Sequence, residues 1–187
     1  MKKLLIVVDF QNDFVNGALG FPGAEDLDAR IAEKIRAYRE EGNEVWFTLD
    51  MHGRNYLQTQ EGSHLPIPHC IEGTPGADFY GEVGELASEG GLVFEKPTFG
   101  SKDLFKRLLG VQNAADESGC PRPFSSIELV GLVSSICVIS NAVLAKTACP
   151  EVPIIVDASC TGAGDAVMNE KALDVMENLQ IEVANRR

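Results

Sequence analysis

Basic residues are scarce in this sequence: sixteen Lys and Arg stand against twenty-eight Asp and Glu, a formal net charge of -12 over 187 residues. Long-range attraction to phosphate backbones or anionic lipid is therefore opposed, and neither nucleic acid nor membrane is expected as a partner. No stretch approaches the roughly eighteen uninterrupted apolar residues of a membrane span. The amino terminus runs from Met1-Lys2-Lys3 into a short apolar segment that stops at Asp9, without the longer apolar region and small-residue cleavage site of a signal peptide. A soluble, cytoplasmic protein is the expectation. The five cysteines (Cys70, Cys120, Cys137, Cys149 and Cys160) are odd in number and include no C-x-x-C pair, so neither a disulfide framework nor a thiolate zinc site is suggested. Internal repeats and low-complexity tracts are also missing.

What is present is an alternation. Residues 1–187, 44% hydrophobic, are enough for one well-buried core and too few for two comfortable domains. Short strand-like runs occur at Leu4–Val8, Glu44–Leu49, Leu92–Phe94, Ile127–Val130, Pro153–Val156 and Ile181–Val183. Helix-like segments fall at Glu25–Glu41, Ser101–Leu109, Ser135–Ala148 and Gly164–Leu179; in the first, Leu27, Ile31, Ile35 and Tyr38 recur at helical spacing and Gly42 ends it. Strands alternating with helices predict a three-layer α/β/α fold around a central, mostly parallel six-stranded sheet of Rossmann-like type. Two segments break the rhythm. Met51–Gly91 has little periodicity but many His, Asp and Glu, which favours a functional loop. Val111–Phe124, with Gly119 and two prolines, reads as a surface excursion.

Three reactive side chains end strand-like runs. Asp9 follows Leu4–Val8, Lys96 follows Leu92–Phe94, and Cys137 stands between an apolar strand and a helix. The carboxyl ends of parallel strands lie together, so the three are candidates for one site. A thiol at a strand-to-helix turn faces the positive end of the helix, which lowers its pKa and can hold an oxyanion. Asp9 can exchange a proton with that thiol, and Lys96 can stabilise both charges. Each has a plainer reading: Cys137 as a small buried hydrophobe, Asp9 as a turn cap, Lys96 as a solvated loop lysine. The segment Phe10–Phe14 is too polar and too far past the strand to be core. A second group lies in the long loop, where Asp50, His52, Glu61 and His69 suit a divalent ion such as zinc, manganese or iron, with His64 as a rival ligand.

These motifs resemble those of the isochorismatase-like cysteine hydrolases, and within them the nicotinamidase branch, over nearly the whole chain. Val8-Asp9-Phe10-Gln11-Asn12-Asp13-Phe14 is similar to the opening motif, Thr48–His52 and Pro66–Ala77 to the metal loop, Glu95-Lys96 to the lysine motif and Val130–Val138 to the nucleophile segment. The resemblance implies a cysteine amidohydrolase with Asp9, Lys96 and Cys137 as catalytic residues, a metal on Asp50, His52, Glu61 and His69, and no organic cofactor. It also implies a cis peptide at Leu132-Val133, with the N–H groups of Val133 and Cys137 facing the substrate oxygen. The implied reaction is hydrolysis of a small amide, nicotinamide to nicotinate and ammonia, through a Cys thioester; a homo-oligomer is a possible assembly. Two departures stand out. Pro66 occupies a position often held by a ring-stacking aromatic, leaving Phe14, Tyr56 or Phe99 for that contact, and Ser134-Ser135 replaces a Thr-Asp pair. The alternatives are another amidase of the superfamily acting on a carbamoyl or ureido substrate, isochorismatase, and a non-enzymatic binding protein.

Overall fold

The computed structural model describes residues 1–120 and 122–186. In chain order its elements are β1 (Leu4–Val8), α1 (Asn12–Val15), α2 (Leu27–Glu40), β2 (Glu44–Asp50), α3 (Gln60–His64), α4 (Gly81–Glu89) and β3 (Leu92–Lys96). There follow α5 (Lys102–Glu117), β4 (Ile127–Leu132), a π-type turn over Ser134–Val138, α6 (Ile139–Ala148), β5 (Ile154–Gly162), α7 (Ala166–Asn178) and β6 (Glu182–Ala184). The strands form one sheet in the order β3-β2-β1-β4-β5-β6. Every pairing is parallel.

Alternation along β1 builds the two core layers. Leu4, Ile6 and Val8 pack on one face with Leu104 and Leu108 of α5, Ala142 and Ala145 of α6 and Leu173 and Met176 of α7. Leu5 and Val7 face the other way, onto Ile31 and Ile35 of α2 and Val83 and Leu86 of α4. A fully buried Leu or Ile of this kind contributes roughly 1.5–3 kcal/mol, so the centre of the sheet anchors both core layers.

The strand order reverses at β1, whose two neighbours are β2 and β4, and the crevice at such a reversal is where α/β proteins place ligands. Gly131 lets the two strands meet there: it has φ +106°, and a Cβ would stand 2.0 Å from the Val8 carbonyl oxygen.

Several boundaries differ from the sequence expectation. The excursion expected from Val111 is instead the second half of α5, because Gln112 and its alanine-rich continuation carry the helix on to Glu117; Pro121 lies outside the described residues. β5 extends to Gly162, since Thr161 and Gly162 go on pairing with Gly131 and Leu132 of β4. Within the long loop, α4 forms against α2, with the Asp28 carboxylate accepting from Glu82 N and Val83 N at 3.0 and 3.1 Å. Among the described residues no helix is long and apolar enough to cross a membrane.

Candidate active site and metal centre

The segment expected to lie outside the core is partly in it: Phe10 and Gln11 are fully covered and Phe14 is nearly so, while Asn12 and Asp13 between them are half-buried. Their polar side chains satisfy backbone that no strand reaches. Gln11 behaves as a strand partner, its Oε1 accepting from Asp50 N at 2.8 Å and its Nε2 donating to Asp50 O at 2.8 Å and Ala77 O at 2.7 Å. Asp13 accepts from Cys70 N at 2.7 Å and Ala18 N at 3.1 Å. The long loop is thereby laid against the carboxyl edge of the sheet. Gly76 is part of that seam, since a Cβ would come within 2.1 Å of Asp13 Oδ2.

At this edge Asp9, Lys96 and Cys137 meet. Lys96 Nζ stands 2.6 Å from Asp9 Oδ2 and 3.6 Å from Cys137 Sγ, and all three residues are buried. Thr48 Oγ1 donates to Asp9 Oδ1 at 2.6 Å. Burial raises the Asp9 carboxyl above its ordinary range, against the pull of Lys96 and with help from the charge of Asp50. Burial would discharge Lys96, but Asp9, Cys137 and Asp50 together outweigh it and keep the ammonium.

For the thiol the structure corrects the sequence argument. Burial first, and then the Asp9 charge, hold Cys137 well above its ordinary value, and Lys96 recovers only part of that. A helix-end dipole is small beside desolvation of a side chain only 4% exposed. The resting nucleophile candidate is a neutral thiol beside a base.

The long loop brings a second cluster alongside. Both imidazoles point Nε2 at Asp50 Oδ2, at 2.9 Å for His52 and 3.3 Å for His69. Glu61 Oε1 completes the group, 3.7 Å from His52 Nε2 and 3.8 Å from His69 Nε2. Donors on one zinc, each at 2.0–2.2 Å, lie roughly 3 to 4.4 Å apart, so the spacing of Asp50, His52 and His69 fits a shared ion, with Glu61 at its side. The donor chemistry fits too. His69 turns Nδ1 to the Ile67 carbonyl at 2.8 Å, which leaves Nε2 as the ligating nitrogen. Glu61 Oε2 is buried without a hydrogen-bond partner, a state that a cation would relieve. Burial, the largest influence on Asp50, would raise its pKa, but the hydrogen bonds from the two histidines, together with Lys96, hold it well below the usual carboxylate range. His64 is elsewhere: it is exposed, with Nδ1 2.9 Å from the Gln60 carbonyl oxygen.

A cavity of about 230 Å³ joins the two clusters. Asp50, Glu61 and His69 line one part of it and Val133 and Cys137 another, and Phe14, Leu19, Leu65, Phe99 and Ile136 form apolar walls. The peptide Leu132-Val133 is cis. Of the three aromatics expected to touch substrate, Phe14 and Phe99 reach the cavity and Tyr56 does not. Tyr56 is buried behind the cluster, its ring 4.7 Å from that of His52 and 5.0 Å from that of His69, with its hydroxyl donating to Leu65 O. Sequence reasoning passed over Leu19, Leu65, Ile136, Gln11, Thr48 and Asn141. The last joins the nucleophile turn to the next loop, donating to Cys137 O at 2.8 Å and Phe99 O at 3.1 Å and accepting from Ser101 N at 2.9 Å.

Fold and site define a class: a three-layer α/β protein whose switch-point crevice joins a thiol, a carboxylate and an ammonium to an Asp-His-His-Glu cluster. The Isochorismatase domain family matches residues 3–187, and the chain belongs to that family of hydrolases. It is 29% identical to the nicotinamidase/pyrazinamidase of Mycobacterium tuberculosis, over 97% of each chain. Its fold is similar to the crystal structure of nicotinamidase PncA from Bacillus subtilis, with a TM-score of 0.79 at 27% identity over 99% of this chain and 100% of that one. The N-carbamoylsarcosine amidase of Thermoplasma acidophilum shares the fold as well, with a TM-score of 0.72 at 21% identity over 100% and 99% of the two chains.

Proposed function

We propose that this protein is a nicotinamidase, a cysteine amidohydrolase that converts nicotinamide and water to nicotinate and ammonia. The observation that carries the reading is the convergence of Asp9, Lys96 and Cys137 beside one cavity that also receives Asp50, Glu61 and His69. Asp9 takes the thiol proton as Cys137 Sγ attacks the amide carbon, and the Lys96 ammonium balances the charge that moves between them. Val133 and Cys137 offer their N–H groups to the oxygen of the tetrahedral intermediate. The proton on Asp9 passes to the leaving nitrogen, ammonia departs and a thioester remains. Water then adds to the thioester, gives its proton to Asp9, and the proton returns to sulfur as nicotinate leaves.

Asp50, His52, Glu61 and His69 would hold a divalent ion. Once bound there, the ion supplies a Lewis-acid contact for a ring nitrogen and for water. Phe14 and Phe99 bound the ring from the cavity walls.

The aliphatic stretch of wall, with Leu65 beside it and no aromatic at Pro66, favours a second reading: a smaller carbamoyl or ureido amide as substrate. One experiment separates the two. Ammonia release is measured over nicotinamide, pyrazinamide, carbamoyl and ureido compounds with the wild-type protein and Cys137→Ala. Release from nicotinamide that Cys137→Ala abolishes supports the proposal. Release only from the carbamoyl or ureido compounds, or full activity in Cys137→Ala, overturns it.

A further inference from the structure

Thr48 is wholly buried in the middle of the sheet, paired to Val8 of β1 on one side and Phe94 of β3 on the other. A valine would have the same shape there without a hydroxyl to desolvate, so the hydroxyl has to be accounted for by what it bonds. Thr48 Oγ1 donates to Asp9 Oδ1 at 2.6 Å, and the Thr48 carbonyl accepts Asp9 N–H at 3.2 Å. Asp9 itself has φ +45°, in the left-handed region that Asp enters more readily than most residues with side chains. Both contacts with Thr48 fix it at the end of β1.

The two carboxylate oxygens are thereby made unequal. Oδ1 is occupied by the Thr48 hydroxyl. Oδ2 faces the Lys96 ammonium at 2.6 Å, the same ammonium that stands 3.6 Å from Cys137 Sγ. We infer that Thr48 is a positioning residue: it pins Oδ1 so that Oδ2 is the oxygen that exchanges the proton with Cys137. In that step the S–H bond breaks with its electron pair left on sulfur, an O–H bond forms at Oδ2, and the same proton later passes to the leaving nitrogen. The Thr48 proton stays on Thr48. Thr48 does not line the cavity, so its effect reaches substrate only through Asp9. The inference rests on the reading of Asp9 as the base.

The test compares Thr48→Val, Thr48→Ala and Thr48→Ser in the full chain. Loss of orientation of a general base, which is worth about 10²- to 10⁴-fold in rate when well placed, should lower kcat by about tenfold or more in the Val and Ala variants while KM stays within about twofold. Thr48→Ser, which keeps the hydroxyl and loses the methyl, should stay within about threefold of wild type. A purely packing role would make Ser fail alongside Ala, and that result overturns the inference. A second readout needs no substrate: alkylation of Cys137 by iodoacetamide, followed by mass spectrometry, should slow about tenfold in Val and Ala and not in Ser. Wild-type rates in Val by both measurements overturn the inference. Should the wild-type protein release ammonia from no amide, the proposed function fails, and the alkylation series still decides the role of Thr48.

Discussion

Lys96 Nζ and Asp50 Oδ1 stand 3.4 Å apart, while Asp50 Oδ2 receives His52 at 2.9 Å. One carboxylate is thus shared between the reacting centre and the metal cluster, each oxygen serving one of them. Its charge is among the influences that hold the Cys137 thiol up, after burial and Asp9 and against the pull of Lys96. In protein stripped of metal, Asp50→Asn should therefore speed alkylation of Cys137 at neutral pH. Ammonia release should fall in the same variant, because the ion loses a ligand. An unchanged rate would show that Asp50 and Cys137 are not coupled, and a slower one that the Asp50 charge does not hold the thiol up.

The metal cluster yields a prediction with a built-in control. His52→Ala and His69→Ala should each lower the metal retained after dialysis, measured by elemental analysis, because both imidazoles converge on Asp50 Oδ2. His64→Ala should retain the wild-type stoichiometry, since that side chain is exposed and turned to the Gln60 carbonyl. Glu61→Gln separates charge from shape. It should weaken retention by about 10- to 100-fold if Glu61 is a ligand or its immediate support.

The burial of Asp9 sets a pH dependence. A base must be ionised to act, and the folded protein raises the Asp9 pKa above the ordinary value of 3.8. The acid limb of kcat/KM should accordingly rise through a midpoint above that ordinary value, with activity lost as the pH falls through it. An acid limb centred at or below the ordinary carboxylate value would mean that Asp9 is not the titrating base.

Stability also depends on an ion cluster at the opposite end of the sheet. Lys34 Nζ is 2.6 Å from Glu128 Oε1 and 2.8 Å from Asp157 Oδ2, side chains only 11% and 2% exposed. Lys34→Met strands two buried carboxylates, which should cost about 3 kcal/mol in denaturant unfolding, the low end for a broken buried pair because Lys34 keeps some exposure. Asp157 is depressed in the fold: burial opposes this, and Lys34, Ser159 and Asn185 overcome it. A depressed carboxylate adds stability that is present above its unfolded value of 3.8 and is lost as the pH falls through the lower folded one. Wild type should lose stability in that acid window, and Lys34→Met should lose less there.

Which parts were legible in the sequence follows from how each signal is made. The strands were readable because a sheet covered on both faces demands unbroken apolar runs, and β1 is one from Leu4 to Val8. The reactive residues were readable because they sit where those runs end. α4 was not, since only Val83 and Leu86 of its nine residues are buried and two glycines interrupt the pattern. Thr48 looked like any β-branched strand residue, and its hydroxyl acquired meaning only when Asp9 was seen beside it. Glu61 was preferred to His64 through the family resemblance, and what divides the two physically is which one α3 turns toward the imidazoles. The sign of the Cys137 shift was hidden for the same reason: a helix start is visible in sequence, but burial is not.

Substrate choice gives the sharpest comparison. Cys137 and the cluster residues Asp50, Glu61 and His69 line one cavity, so an amide carbon at sulfur can place the far side of a flat ring toward the cluster. Nicotinamide and benzamide have nearly the same shape and the same scissile bond, and differ in one ring atom. If that nitrogen is read, nicotinamide should be hydrolysed with kcat/KM of about 10⁴ M⁻¹s⁻¹ or higher. Benzamide should be poorer by about 100-fold or more, since a site arranged to bind a polar atom discriminates against an analogue lacking it. Removing the metal should then collapse the ratio, lowering the nicotinamide rate while leaving the residual benzamide rate nearly unchanged, because the aliphatic walls Leu19, Leu65 and Ile136 treat both rings alike. Equal rates before chelation would show that the cluster does not select the ring. A ratio that survives chelation would place the selecting group on the protein itself.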